Sequence, residues 1–177
     1  TGWEGTLRPV TPTNKNETAS DIINSYRAQI SLDQTITRAT APLDARFATN
    51  YHRESRYGNL VTDAFRETTG AQVAIPNAGG IRSDAIYGPG NITGGDVFNT
   101  LPFPNTVVTL EVTGATLREA LASQVITLES STGQQFGAEI SQQTSGVSFE
   151  WVPHEDADPR IRDLTVNGEP VQPEETY

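Results

Sequence analysis

The stretch Asn77-Ala78-Gly79-Gly80-Ile81-Arg82 follows a short apolar run, Val73-Ala74-Ile75, and together they predict a strand that ends in a glycine loop. Adjacent glycines have no Cβ, so backbone N–H groups in such a loop can approach a ligand closely. Asn77 adds a neutral donor and acceptor, and Arg82 adds a planar cation. The loop therefore suits an anion or a sugar. A plain tight turn is the alternative.

Composition allows a modest core and excludes several classes of protein. Of the 177 residues, 35% are hydrophobic and 7% aromatic, enough for one good core or two small ones. The formal charge of −10 argues against polymeric nucleic acid, because phosphate backbones require a basic surface, although local arginines can still hold a small anion. The absence of cysteine excludes disulfides and thiolate metal sites. No run of 18 apolar residues could span a membrane.

Hydrophobic spacing predicts two helices in the first half of the chain. Residues 1–19 indicate an extended lead-in, and a helix is expected from Ser20, which suits an N-cap. The apolar positions of this helix are Ile22, Ile23, Tyr26 and Ile30. A second helix is predicted after Tyr57 and ends at Gly70. Its apolar side consists of Leu60, Val61, Ala64, Phe65 and Thr68.

Strands and helices alternate in the rest of the chain. Helices are predicted over 94–100, capped by Thr93, and over 117–125, with Leu128 extending the apolar stripe. Residues 130–135 indicate a polar loop, and Asn167-Gly168 is a strong hairpin signal. The predicted strands cover 72–75, 106–112, 146–152, 161–166 and 169–171. The pattern favours a mixed sheet with helices.

Four further motifs surround the glycine loop in the sequence. They are Arg53-Glu54-Ser55-Arg56-Tyr57-Gly58-Asn59-Leu60, Ile92-Thr93-Gly94-Gly95-Asp96, Leu101-Pro102-Phe103-Pro104-Asn105 and Val112-Thr113-Gly114-Ala115-Thr116-Leu117. In this order they resemble the carboxy-terminal domain of the 5′-nucleotidase family, secreted or periplasmic phosphoesterases that include UDP-sugar hydrolases and 2′,3′-cyclic-nucleotide phosphodiesterases. The resemblance covers residues 20–177. It implies an α+β fold in α/β/β/α layers, with mixed sheets and flanking helices, and a domain truncated at its C-terminal end.

The resemblance also implies a set of substrate-binding residues. Arg53, Asn77 and Arg82, with the loop residues Gly79 and Gly80, match positions that hold the ribose and phosphate end of a nucleotide. Two guanidiniums at loop positions suit a phosphate or carboxylate, although solvated or salt-bridged arginines are the alternative. Phe103 matches one of two rings that stack on the base, and a hydrophobic plug under the loop is its alternative. The second ring is expected beyond Tyr177.

No catalytic or metal-binding residue is predicted in this chain. His52 and His154 are far apart in sequence, and the chain has neither a His-Glu-x-x-His nor a Gly-x-Ser-x-Gly motif. The acidic cluster Glu155-Asp156-Asp158 favours a solvated loop over a weak calcium site. The resemblance assigns two divalent metal ions and the catalytic residues to an amino-terminal metallophosphatase domain, so this fragment alone is expected to be inactive.

The sequence therefore predicts the substrate-recognition domain of a metal-dependent 5′-nucleotidase-like hydrolase of nucleoside phosphates. The expected partners are a small nucleotide or nucleoside and the amino-terminal catalytic domain of the same polypeptide. The expected location is secreted, periplasmic or cell-surface. Two alternatives stay open: a non-catalytic nucleoside-binding or surface module of the same fold, and a cyclic-nucleotide or UDP-sugar hydrolase of the same family.

Overall fold

The computed structural model describes residues 2, 4–8, 16–152 and 160–177 of the chain. Within them it has five α-helices: α1 (Glu17–Gln29), α2 (Phe47–Asn50), α3 (Arg56–Thr69), α4 (Gly94–Thr100) and α5 (Gly114–Ser123). The strands are β1 (Thr35–Ala39), β2 (Leu43–Asp44), β3 (Ile86–Tyr87), β4 (Gly90–Thr93), β5 (Val125–Glu129), β6 (Gln135–Ile140), β7 (Val147–Trp151), β8 (Ile161–Val166) and β9 (Glu169–Pro170).

These strands form four small antiparallel sheets. Three are two-stranded and pair β1 with β4, β2 with β3, and β5 with β6. The fourth has the order β7-β8-β9. The arrangement confirms a domain of helices and small sheets, and the α/β/β/α order of layers stays a prediction. The prediction of mixed sheets was wrong for the described residues, because all their strand pairs are antiparallel.

The first helix begins earlier than the sequence predicted. Its N-cap is Asn16, whose side chain accepts a hydrogen bond from the backbone N–H of Ala19 at 3.0 Å, so the prediction of Ser20 as the cap was wrong. Asn is as good a cap as Ser, and the acidic Glu17 adds favourable charge at the first turn. No residue of α1 is buried, and its apolar positions Ile22, Ile23, Tyr26 and Ile30 are exposed.

The second predicted helix is confirmed as α3, but its buried face matches the predicted one only in part. Ser55 caps its start and Gly70 ends it at a φ of 71°, a left-handed conformation that favours glycine. The buried residues are Tyr57, Gly58, Val61 and Thr62, whereas Leu60, Ala64 and Thr68 of the predicted face are exposed. Of the predicted face only Val61 is buried and Phe65 partly buried, so the helix is rotated toward Tyr57 at its start.

Elements with a strong local signal occur as predicted. Helix α4 spans 94–100, and Thr93 and Asp96 form a reciprocal capping box. Strands β8 and β9 form a hairpin through Asn167 and Gly168, both at positive φ. Strand β7 matches the predicted strand 146–152 to within one residue at each end.

Two predicted strands are wrong. In 72–75 only Ala74 takes part in strand pairing, through an isolated bridge to Ser145. Residues 106–112 form no strand, and only Val112 exchanges hydrogen bonds, with Tyr177. Both segments have strand-like composition, but a strand requires a hydrogen-bonded neighbour along its length.

The helix predicted over 117–125 ends at Ser123, and Val125 and Leu128 belong to β5. The apolar stripe that indicated a longer helix is thus divided between α5 and a strand of the β5–β6 hairpin. A short apolar run does not reliably distinguish the period of a helix from that of a strand, which explains the error. The polar residues 130–134 form the connection between these strands.

The core is divided into two clusters. The larger, here called the α5 cluster, contains Leu117, Leu121, Val125, Ile140, Ile161, Leu164, Val166 and Val171. The smaller, the Ile81 cluster, contains Ala45, Tyr57, Val61 and Ile81, with Leu43, Phe65, Tyr87 and Leu101 packed against it. The glycine loop ends in the Ile81 cluster, while Asn77 at its start is bridged to Gln142, close in sequence to Ile140 of the α5 cluster. The loop therefore spans the two clusters.

Candidate functional site

The glycine loop is a single 3₁₀ turn, Ala78–Gly80, that is fixed at both ends. The Asn77 side chain caps it by accepting a hydrogen bond from the backbone N–H of Gly79 at 2.8 Å. Ala78 and Ile81 are buried at 0% and 1% exposure. The Arg82 backbone N–H donates to the carbonyl of Thr100 at 2.8 Å, which joins the loop to the end of α4.

Every backbone N–H from 78 to 82 has a partner within the protein. Those of Gly80 and Ile81 donate to carbonyls inside the turn, and that of Ala78 donates to the Ser141 carbonyl at 2.9 Å. The sequence-based expectation that these groups face a ligand therefore does not hold in this structure. Any ligand recognition at the loop has to come from the side chains around it.

The two glycines have different surroundings. A Cβ on Gly79 would lie 2.7 Å from the Tyr51 hydroxyl and 3.1 Å from Asn77 Oδ1, whereas a Cβ on Gly80 would meet nothing within 4 Å. Gly79 thus makes room for the Tyr51 hydroxyl. Gly80 leaves open space at the surface.

Arg82 is exposed and is oriented by two contacts. Its guanidinium carbon lies 5.3 Å from the centroid of the Phe47 ring, within the range of a cation–π interaction. Its Nη1 donates to the Gly79 carbonyl at 3.4 Å. These two contacts leave further guanidinium donors unused by any described residue.

Helix α2 supplies the aromatic side of the site. Phe47 and Tyr51 are one turn apart, and their rings lie 6.3 Å apart at an interplanar angle of 54°. The Phe47 backbone N–H donates to Asp84 Oδ1 at 2.9 Å, which fixes the first residue of the helix. The row formed by Tyr51, Phe47 and Arg82 is here called the aromatic row.

Asp44 holds the chain in front of α2. Its carboxylate accepts hydrogen bonds from the backbone and side-chain nitrogens of Arg46 and from the Thr49 hydroxyl. The Arg46 side chain, followed by the backbone and Thr49 bonds, holds the pKa of Asp44 well below its usual range despite the opposing effect of burial. The same pairing raises the pKa of Arg46.

Arg53 lies just after helix α2, and its positive charge is not paired with a described carboxylate. Its side chain is exposed, and its guanidinium makes no hydrogen bond or ion pair with any described residue. Its backbone carbonyl accepts a hydrogen bond from Gln143 Nε2 at 3.0 Å. The charge is therefore free for an anion, while its backbone is fixed.

Gln143 connects this segment to the start of the glycine loop. Only 2% exposed, it accepts from the Ser55 N–H at 3.0 Å and donates to the carbonyls of Asn50 and Arg53. Its own backbone N–H donates to the Pro76 carbonyl at 3.1 Å, next to Asn77. Gln143 is thus hydrogen-bonded both to the backbone of Arg53 and to the residue before the glycine loop, and it links the two segments.

Phe103 is 52% exposed, as a ring available for stacking has to be. It follows Leu101, which packs against the Ile81 cluster, and Thr100, whose carbonyl binds the Arg82 N–H. Three residues of chain span at most about 11 Å, so the Phe103 backbone starts close to the loop. No hydrogen bond joins residues 102–111 to any other described residue.

Tyr57 lies beneath these residues in the Ile81 cluster. It is 2% exposed, and its ring packs 5.7 Å from that of Tyr87. Burial is the main cause that raises the pKa of Tyr57. Its hydroxyl therefore stays protonated at neutral pH and acts as a structural group.

Sequence reasoning missed the rings of Phe47 and Tyr51, which lie at the start of α2 and directly after its end. This helix has only four residues and no apolar periodicity, so it gave no helical signal. The available signal was the spacing of Phe47 and Tyr51, four residues apart and just ahead of the Arg53 motif.

The described part of the chain offers no metal site. No group of three or more His, Cys, Asp or Glu side chains in it could hold a metal ion. His52 is exposed, while His154 and the acidic cluster at 155–158 lie outside the described residues. None of the described helices is long and apolar enough to cross a membrane.

Comparison with known proteins assigns the family. The model of the 5′-nucleotidase C-terminal domain matches residues 34–177, most of the chain. The chain belongs to the 5′-nucleotidase C-terminal domain family. The match begins just before β1, after the end of α1, and includes the glycine loop, the Arg53 motif and Phe103.

The proteins that the chain resembles have different names and are much longer. Over 161 residues the chain is 28% identical to an endonuclease of Bacillus subtilis, covering 90% of this chain and 12% of that protein. It is 34% identical over 100 residues to an NAD 5′-nucleotidase of Haemophilus influenzae, covering 55% and 15%. The crystal structure of a 5′-nucleotidase precursor from Thermus thermophilus matches with a TM-score of 0.69 and 28% identity, covering 91% and 32%. The chain thus spans a third or less of these relatives.

Proposed function

We propose that this 5′-nucleotidase C-terminal domain is the substrate-recognition part of a metal-dependent phosphoesterase that hydrolyses nucleoside phosphates. Arg53 and Arg82 bind the phosphate end, Asn77 binds the ribose end, and Phe103 stacks on the base. Gly80 leaves room for the ligand beside the loop. The whole protein's activity, and its location outside the cytoplasm, are part of this proposal.

The observation that supports the proposal most is the state of the two arginines. Arg53 has no described partner, and Arg82 is oriented by an aromatic ring rather than neutralised by a carboxylate. Between described residues only Arg27 and Arg46 form ion pairs, so the lack of one is common in this chain. Arg53 and Arg82 differ from the other arginines because they belong to the glycine loop and the motif before it, where unused guanidinium donors suit a ligand anion. Asn77 Nδ2, at the start of the glycine loop, is also without a described partner.

The catalytic step belongs to a domain outside this chain. In the proposed enzyme, divalent metal ions held by that domain would supply an activated water for attack on phosphorus. The residues described here bind and orient the nucleotide. The layered α/β/β/α arrangement and the extent of the domain, residues 20–177 with a further C-terminal segment, are proposed on the same family basis.

A titration of the labelled chain with AMP, followed by NMR, tests the proposal. A single stacking ring supports a dissociation constant in the millimolar range, equivalent to about 4 kcal/mol. We expect shifts at Arg53, Asn77, Arg82 and Phe103. The variant Arg82→Ala should weaken AMP binding several-fold, whereas Arg162→Ala, which removes an exposed arginine from β8, should not.

Two further outcomes separate the alternatives. No AMP-dependent shift at millimolar concentration would favour the non-catalytic surface module over the recognition domain. Phosphate release from AMP by the purified chain, abolished by EDTA, would contradict the assignment of catalysis to another domain.

A further inference from the structure

The contact between Arg82 and Phe47 leaves N–H donors of the Arg82 guanidinium available to an anion. The Arg82 guanidinium carbon lies over the face of the Phe47 ring, 5.3 Å from the ring centroid. An anion binds a guanidinium at its edge, where the N–H groups point away from that carbon. The ring and an anion therefore do not compete for Arg82.

Phe47 itself is held in place before any ligand binds. Its backbone N–H donates to Asp84 Oδ1 at 2.9 Å, and its ring packs against Tyr51 one helical turn later. The preceding residue, Arg46, is fixed by its bidentate pair with Asp44. The Phe47 ring in the aromatic row is thus held in place by the protein and is not a mobile side chain in solvent.

We propose that Phe47 is a positioning residue, which holds the Arg82 guanidinium in place to receive the phosphate of the ligand. The inference rests on the proposed nucleotide site. An exposed arginine loses much side-chain freedom when it binds an anion, and a side chain that is already ordered loses less. The ring therefore strengthens anion binding without touching the anion.

The test is the affinity of the chain for AMP and for adenosine, measured by NMR titration. Phe47→Leu should weaken AMP binding about five-fold, the factor that one exposed cation–π contact supports, and leave adenosine binding unchanged. Phe47→Tyr, which keeps a ring, should bind AMP like the parent. Phe98→Leu is the matched control, because Phe98 is an exposed phenylalanine on α4.

A double variant separates positioning from a general structural role. In an Arg82→Gln background, Phe47→Leu should have no further effect on AMP binding, because the group that it orders is gone. A ligand-free measurement adds an independent check: the Arg82 Nε–H signal of the parent should be displaced by the ring current of Phe47. That displacement should be retained in Phe98→Leu and lost in Phe47→Leu.

The outcomes are distinguishable. Parent-like AMP affinity in Phe47→Leu, equal weakening of adenosine, or persistence of the effect without Arg82 would each overturn the inference. So would a parent spectrum without the ring-current displacement, even if a variant fails to fold. A parent that binds adenosine but gains nothing from the phosphate of AMP would instead overturn the proposed anion site, and the positioning role with it.

Discussion

The glycine loop and residues 102–111 both carry residues of the candidate site, yet the protein holds them very differently. All the backbone N–H groups from 78 to 82 have partners, and the loop joins the α5 cluster to the Ile81 cluster. Residues 102–111 make no hydrogen bond to another described residue, and Phe103, Val107, Val108 and Leu110 are at least half exposed. The glycine loop with Arg82 is therefore ordered before a ligand binds, whereas the segment that carries Phe103 is not held by hydrogen bonds to the described fold.

This difference has a consequence for affinity. A ligand that uses Arg82 meets a side chain already restrained by Phe47 and Gly79, so little ordering is needed. A base that stacks on Phe103 has to order the loop that carries it. Binding by this chain should therefore depend more on the anion than on the base.

The largest expected effect tests how firmly the polar part is held. Gln143→Leu removes an amide that binds the Ser55 N–H and the carbonyls of Asn50 and Arg53. Ser55 and Asn50 are buried, so water cannot easily replace the lost partner. Leaving such groups unpaired should lower the free energy of unfolding by about 3 kcal/mol. Urea unfolding measures it, with Gln29→Leu at the exposed end of α1 as the control. A loss no larger than that of the control would show that the network does not stabilise the site.

The two glycines of the loop provide a matched pair. In Gly79→Ala the new methyl group would displace the Tyr51 hydroxyl and crowd Asn77, at an expected cost of about 1.5 kcal/mol. Gly80→Ala should be neutral or slightly stabilising, because nothing lies near and alanine restricts the unfolded chain. Thermal unfolding of both variants checks the order, and equal stabilities would contradict the account of the loop.

The Asp44 carboxylate predicts a pH dependence for the α2 side of the site. Because the folded pKa of Asp44 is lowered, its ionised form stabilises the fold above its ordinary pKa of about 3.9, and this is lost as pH falls through the folded value. Asp44→Asn should therefore be less stable by about 1 kcal/mol at neutral pH. The difference should shrink below about pH 4. A difference that stays constant down to pH 2 would contradict the pairing with Arg46.

The smallest expected effect on stability concerns the other region. Phe103→Ala should change the free energy of unfolding by less than about 0.5 kcal/mol, because the ring is half exposed and its segment lacks hydrogen bonds to the described fold. The same variant should weaken binding of adenosine. A large loss of stability would instead identify Phe103 as the hydrophobic plug that the sequence left as an alternative.

The contrast between the two regions also explains what the sequence could predict. The helices α3 and α4 and the Asn167-Gly168 hairpin follow from caps and turns that act within a few residues. The strand predicted over 106–112 failed because pairing depends on a distant partner, and its apolar composition carries no information about that partner.

Arg53, Asn77 and Arg82 were identified by their motifs, but the use of every loop N–H inside the fold was not visible in them. Nor was the position of Phe47 under Arg82, because it depends on how the short helix α2 packs against residues 35 positions further along.

A crystal structure of the chain with AMP tests the central claim most directly. The account predicts phosphate oxygens within about 3 Å of the Arg82 guanidinium, with Arg53 in reach of the same group. It also predicts an Arg82 side chain that keeps its place over Phe47 and loop N–H groups that still bind their protein partners. AMP bound elsewhere, or an Arg82 side chain that leaves the ring to reach it, would contradict the account.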